Sequence, residues 1–219
     1  MTRDLSVFVP PVRDSKRDHV PSAYPPEDIE RLLAAVDRGN PKGRRDYAIL
    51  LLASRLGLRA SDICQLTFDN FHWESNTLAI SQRKTGDALV LPLLNEVGEA
   101  VIEYLKYGRP TIDTDVVFLR HSAPIGPLTS PTLHSIVTKY MGRAGITIPP
   151  GKKHGPHALR HSLASAMLHH DATLPVISAA LGHIDSRTTA IYLTIDLTQL
   201  RTLALPVPPL RANWEGMYA

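Results

Sequence analysis

The stretch "RRDYAILLLASRLGL", residues 44–58, constrains the fold more than any other, because Ala48 to Ala53 are apolar without a break. A helix that is apolar all round has no face to offer water, so it belongs in an interior. Gly57 interrupts this helix, and "RASDICQL" follows as a second, short one. Upstream, "YPPEDIERLLAAVDRG" sets prolines and acidic residues ahead of an apolar stripe of Ile29, Leu32, Leu33 and Val36. That is a helix start, with Gly39 as its expected close.

A β-rich patch comes next. "LTFDNFHWES" and "NTLAISQ" read as strands, "RKTGD" as a turn and "ALVLPL" as a returning strand. Helical spacing resumes from Asn95 to Tyr107 and from Thr129 to Arg143, whereas "DVVFL" reads as a short buried strand or an irregular segment. After the linker "GITIPPGKKHG", helices are expected in "GPHALRHSLASAML", "ATLPVISAALG", "SRTTAIYL" and "IDLTQLRTLAL". The expected fold is mainly α with one small antiparallel sheet, an α+β class. Residues 1–24 read as an extended arm, 25–205 as the domain and 206–219 as a proline-rich tail.

Composition narrows the class. At 219 residues and 43% hydrophobic, the chain can bury a sizeable core. Lys and Arg outnumber Asp and Glu by 24 to 21, an excess that favours a nucleic-acid partner only mildly. The single cysteine, Cys64, excludes an internal disulfide and suits a reducing cytoplasm. No apolar run approaches the roughly 20 residues of a membrane span, and the N-terminus lacks a signal-peptide core.

"GPHALRHSLASAML" carries the chemistry. In a helix His157, Arg160 and His161 fall at i, i+3 and i+4 and share one face, leaving Leu159, Leu163 and Met167 to pack. Basic residues in a first turn oppose the helix dipole, which makes sense where an anion binds. A metal site is the competing reading, although the glutamate of a zinc-protease helix is absent between the two histidines. A solvated basic face is the third. Elsewhere, Arg59 follows Gly57, Lys84 sits at the hairpin turn, and "LGHIDSRTTAIYL" holds His183 and Tyr192. Each alone is an ordinary surface or core residue.

Together, and in this order, these segments resemble the catalytic domain of the tyrosine recombinases, or phage-type integrases. The resemblance rests on Arg59 in "GLRASD", Lys84 in the hairpin, His157 and Arg160 in "HALRH", His183 in "LGH" and Tyr192 in "TTAIYL", over residues 25–200. It implies site-specific DNA recombination or integration, as in mobile elements, with no metal or cofactor. Tyr192 would attack a phosphodiester to give a 3′-phosphotyrosyl bond, and Lys84 would be the general acid. Arg59 and Arg160 suit the charge that grows on the phosphate oxygens, since a guanidinium is a planar, permanent, bidentate donor. His157 and His183 add hydrogen bonds, with His157 a candidate acceptor of the tyrosine proton.

Asp62 is expected to hold the Arg59 guanidinium, His161 to serve structure, Cys64 to be core and Trp73 to pack. Lys42, Arg44, Arg45, Arg83, Lys152 and Lys153 are candidate phosphate contacts. The resemblance also implies double-stranded DNA as partner, a homotetramer on it and a monomer without it, and no membrane; the tail from Asp196 resembles a segment passed to a neighbouring subunit, with a loose proline-rich end as the other reading. Family members carry a separate helical domain ahead of the catalytic one, and with only residues 1–24 before the first helix that domain is expected to be absent. The rivals are a type IB topoisomerase, whose family has lysine where this chain has His157, a weakly active DNA-binding accessory protein, and a metal-dependent hydrolase.

Overall fold

Helix α2 (Pro41–Arg55) begins where Asn40 caps it, the side-chain oxygen accepting from the Gly43 N–H at 2.8 Å. Every residue from Ala48 to Ser54 is buried, and Leu50, Leu51 and Leu52 are 0% exposed. Each such leucine contributes about 1.5–3 kcal/mol of burial. Five helices cover α2 on all sides: α1 (Pro26–Ala34), α3 (Ala60–Cys64), α4 (Asn95–Tyr107), α5 (Ser130–Arg143) and α6 (Pro156–His169). A last helix, α7 (Leu174–Leu181), packs on α6 through Ala164, Leu168, Ile177 and Leu181. The computed structural model describes residues 22–81, 88–149 and 152–182. The arm, the tail and the helices expected in "SRTTAIYL" and "IDLTQLRTLAL" lie outside the described residues.

The sheet is a meander, β1 (Phe71–His72), β2 (Thr77–Ser81) and β3 (Ala88–Pro92), antiparallel throughout. Its register pairs Leu78 with Leu91 and Ile80 with Leu89, and these four side chains are the buried face. Trp73 stacks on Phe71 with ring centroids 5.4 Å apart, the packing role expected of it.

Two local expectations change and one open reading is decided. The first strand is short because Thr67 and Asn70 cap a single 3-10 turn, Phe68–Asn70, and Asn70 then donates to the Ala79 carbonyl at 2.9 Å. Side-chain bonds to the backbone compete with a ladder in this way. Helix α1 stops at Ala34, not Gly39, since the Asp37 carboxylate accepts from Gly39 N–H and Asn40 and turns the chain. Of the two readings left open for "DVVFL", the irregular one holds. Val117, Phe118 and Leu119 are fully buried, and the segment is held by isolated bridges, Thr67 to Val116 and Leu119 to Pro127, and by side chains such as Arg109 and Arg45 donating to its carbonyls, not by a ladder.

Candidate active site

The site is built on the turn that ends α2. Gly57 has φ +62°, the left-handed region that costs an L-residue about 1–2 kcal/mol. A Cβ there would lie 2.8 Å from Leu181 Cδ2 and 3.0 Å from Leu163 Cδ2, so the backbone runs directly against α6 and α7. This turn sets Arg59 at the start of α3. Its Nη2 donates to the Gly182 carbonyl at 3.4 Å, and its Nη1 lies 3.9 Å from Oδ2 of the buried Asp62. The expected Asp62 partnership is therefore present as a long ion pair.

Arg160 comes from α6 and is 2% exposed. It donates through Nη1 to the Gly57 carbonyl and through Nη2 to the Leu181 carbonyl. The two arginines thus reach neighbouring carbonyls at the C-terminus of α7, where the helix dipole favours cations. Held on two carbonyls, the buried Arg160 guanidinium is fixed in place where it lines the cleft.

Helix α6 starts at Gly155, whose φ of +109° again calls for glycine. The His134 ring of α5 occupies the space a side chain would take, 2.6 Å from where a Cβ would stand. His157 follows in the first turn, exposed, with the half-buried His161 ring edge-on to it at 4.5 Å. His161 therefore packs on His157, in keeping with a supporting role. Arg59, His157 and Arg160 line one open cleft of about 350 Å³, joined by His134, His154 and Ser130. None of its described lining residues is a carboxylate. Arginine forks and imidazoles, with the acid paired to Arg59, Asp62, buried outside the lining, suit a phosphate. Among the described residues no three His, Cys, Asp or Glu side chains are placed to hold a metal ion.

A second cleft, about 530 Å³, shares Ser61 and Ser130 with the first and is bordered by Cys64. Burial pushes the Cys64 thiol up to about 11, which makes it a poor nucleophile and fits its place in the core.

Among the predicted site residues, Lys84, Arg83, His183 and Tyr192 lie outside the described residues. Residues 82–87 fall between the paired Ser81 and Ala88, and the described chain stops at Gly182, whose carbonyl faces Arg59. Arg45 is not a DNA contact. It is 3% exposed, pairs with Asp46 at 2.6 Å and donates to the Leu119 carbonyl, because a buried carboxylate needs a charged partner. Arg44 is held by Glu103 at 3.2 Å, whereas Lys42 is exposed. Both lie in the first turn of the 15-residue α2, about 20 Å along the helix from its Gly57 end. Lys152 and Lys153 are exposed just before His154, which lines the cleft. Their segment is pinned where the Lys153 N–H donates to Ser22 Oγ at 2.8 Å. His134 and His154 are cleft residues that the sequence reading missed. His154 was visible three positions before His157; nothing local marked His134.

No described helix is long and apolar enough to cross a membrane. The integrase/recombinase y4rA of Sinorhizobium fredii is 42% identical over 209 residues, which cover 95% of this chain and 50% of that protein. A second Sinorhizobium fredii relative, the integrase/recombinase y4gC, is 35% identical over 190 residues, covering 86% of this chain and 97% of the relative. The chain therefore spans about half of one relative and nearly all of the other. Among solved structures, the XerH site-specific recombinase in its post-cleavage complex with palindromic difH superposes with a TM-score of 0.72 at 23% identity. That match covers 88% of this chain and 55% of XerH, and it shows a shared fold. The sequence model of the phage integrase family matches residues 24–198, and the chain belongs to that family.

Proposed function

We propose that the chain is a site-specific tyrosine recombinase that cuts and rejoins double-stranded DNA without a metal, acting in the cytoplasm as a tetramer on DNA. The observation that carries this reading is the convergence of Arg59, His157 and Arg160 on one cleft, with no carboxylate among its described lining residues, beside the C-terminus of α7. The family, and the names of its relatives, supply the substrate class.

In this reading Tyr192 Oη attacks the scissile phosphorus. The new bond is O–P to tyrosine, and the bond broken is P–O5′. The tyrosine proton passes to His157 or water. A free phenol ionises near pH 10, so a cationic surround is needed for attack at neutral pH. Lys84 gives a proton to the leaving O5′. Arg59 and Arg160 meet the extra negative charge on the two non-bridging oxygens as it develops, the role a metal fills elsewhere. His183 donates a further hydrogen bond. The 5′-hydroxyl of another strand then attacks the phosphotyrosine and reverses each transfer. Because a phosphodiester is exchanged for a phosphodiester, no nucleotide is consumed.

The test is covalent capture. Sheared DNA from the source organism is incubated with the protein in EDTA, the protein is denatured in SDS, and DNA still attached is sequenced. Attachment at a recurring sequence is expected, with none for Tyr192→Phe. Attachment that persists in Tyr192→Phe, or that requires a divalent cation, refutes the reading. A type IB topoisomerase would instead relax supercoils without pairing two sites.

A further inference from the structure

The cleft is larger than one phosphate needs. Its volume of about 350 Å³ is room for roughly a dozen waters, several times what a five-atom phosphate fills. Its basic groups also arrive from two sides. Arg59 and Arg160 are tied to the α7 end through the carbonyls of Gly182 and Leu181. His134 and His154 stand on the α5 side, their ring centroids 4.7 Å apart and tilted by 52°. His134 rises from α5 against Gly155, and His154 belongs to the segment that enters α6.

Two imidazoles in contact on the wall of a cleft, with no carboxylate among its described lining residues, offer ring N–H groups that can donate to an anion. Ser130 and Ser61 hydroxyls line the same space. The pair is also placed to register position. His134 is packed on the residue that starts α6, two residues before His157, so an anion gripped there is fixed relative to the phosphate held by the arginines.

We propose that His134 and His154 form a second phosphate contact, holding a backbone phosphate next to the scissile one and so setting which phosphodiester lies under the arginines. This rests on the recombinase reading above. It assigns the pair a role in placing DNA, as positioning residues for the cut.

The probe is a nicked suicide duplex carrying the sequence recovered by covalent capture, with single neutral methylphosphonates placed at each neighbour of the scissile phosphate. A hydrogen bond to a charged group contributes enough that losing it should raise the half-saturating duplex concentration about tenfold. That rise is expected for His134→Gln and for His154→Gln on the unmodified duplex. On one methylphosphonate duplex, and only one, the wild type should show the same rise and the variants less than about twofold more. His154→Arg, which restores a hydrogen-bond donor at that position, should recover most of the loss.

Equal losses on every duplex overturn the proposal, as does a failure of His154→Arg to rescue, since both mark a packing defect. Thermal melts of each variant guard against simple unfolding of His134→Gln; His154→Gln, outside any helix, then carries the test. If the wild type forms no adduct at all, the recombinase reading itself falls and takes this one with it. Adducts with independent, additive losses sink only the second contact.

Discussion

Replacing Gly57 with alanine tests the geometry of the whole site with one methyl group. The backbone cost of an L-residue at φ +62° is about 1–2 kcal/mol. The new Cβ also meets Leu181 Cδ2 at 2.8 Å and Leu163 Cδ2 at 3.0 Å, the ends of side chains that can give way only partly inside a packed cluster. Overpacking of this kind adds about 1–3 kcal/mol. The sum is about 2–5 kcal/mol, so a mid-range value of about 3 kcal/mol lowers Tm by roughly 6–12 °C. Function should fall further than stability. The Gly57 carbonyl accepts from Arg160 and Leu181 accepts from its other arm, so one shift loosens both anchors. Urea denaturation gives the stability loss, and adduct formation at 10 °C, where the variant stays folded, gives the activity loss. Adding Leu181→Ala should recover about 1 kcal/mol relative to the sum of the single variants, as expected for residues in direct contact. Gly57→Ala losing less than about 0.5 kcal/mol, or showing no coupling to Leu181→Ala, would refute the close-approach argument.

Asp46→Asn should cost about 3–5 kcal/mol by urea denaturation, because it strands the buried Arg45 and weakens the 3.0 Å bond from the Tyr140 hydroxyl. Burial and the neighbouring Asp46 carboxylate hold the Tyr140 phenol above its ordinary range, so its absorbance at 295 nm should titrate only as the protein unfolds in alkali. The neutral Cys64 thiol, with its pKa raised to about 11, contributes stability that is full below the thiol's unfolded value near 9 and lost as pH climbs toward 11. A thiol reagent at pH 8 should accordingly react with the native protein orders of magnitude more slowly than with the unfolded chain, and Cys64→Ala should still form the DNA adduct. Arg160→Lys keeps the charge but not the fork that spans the Gly57 and Leu181 carbonyls. Its adduct rate should fall about a hundredfold or more, and a loss under threefold would remove Arg160 from the phosphate site.

The parts of this fold that were legible in sequence are those written in local periodicity. The apolar run Ala48–Ala53 could only be an interior helix, and α2 is covered by five others. Leu78, Ile80, Leu89 and Leu91 alternate as a one-sided hairpin must. What failed was decided by side chains reaching their own backbone, at Asn70 and Asp37, and what periodicity left open was decided by burial unrelated to period, as at Val117 and Phe118. The same division runs through the site. Arg59, His157 and Arg160 were legible because local spacing and family resemblance marked them, and they line one cleft. Arg45 looked like its neighbours Lys42 and Arg44; only the three-dimensional partnership with Asp46 and Leu119 separates a core cation from a surface one. His134 was illegible for the opposite reason. Its meaning comes from a contact 21 positions along the chain, at Gly155, and that contact exists because the glycine has no side chain. Gly57 and Gly155 read in sequence as a helix break and a linker residue, yet each is the place where a neighbouring element touches bare backbone. A cleft lined from three described chain segments needs such close approaches, since long basic side chains can converge only if the elements carrying them do.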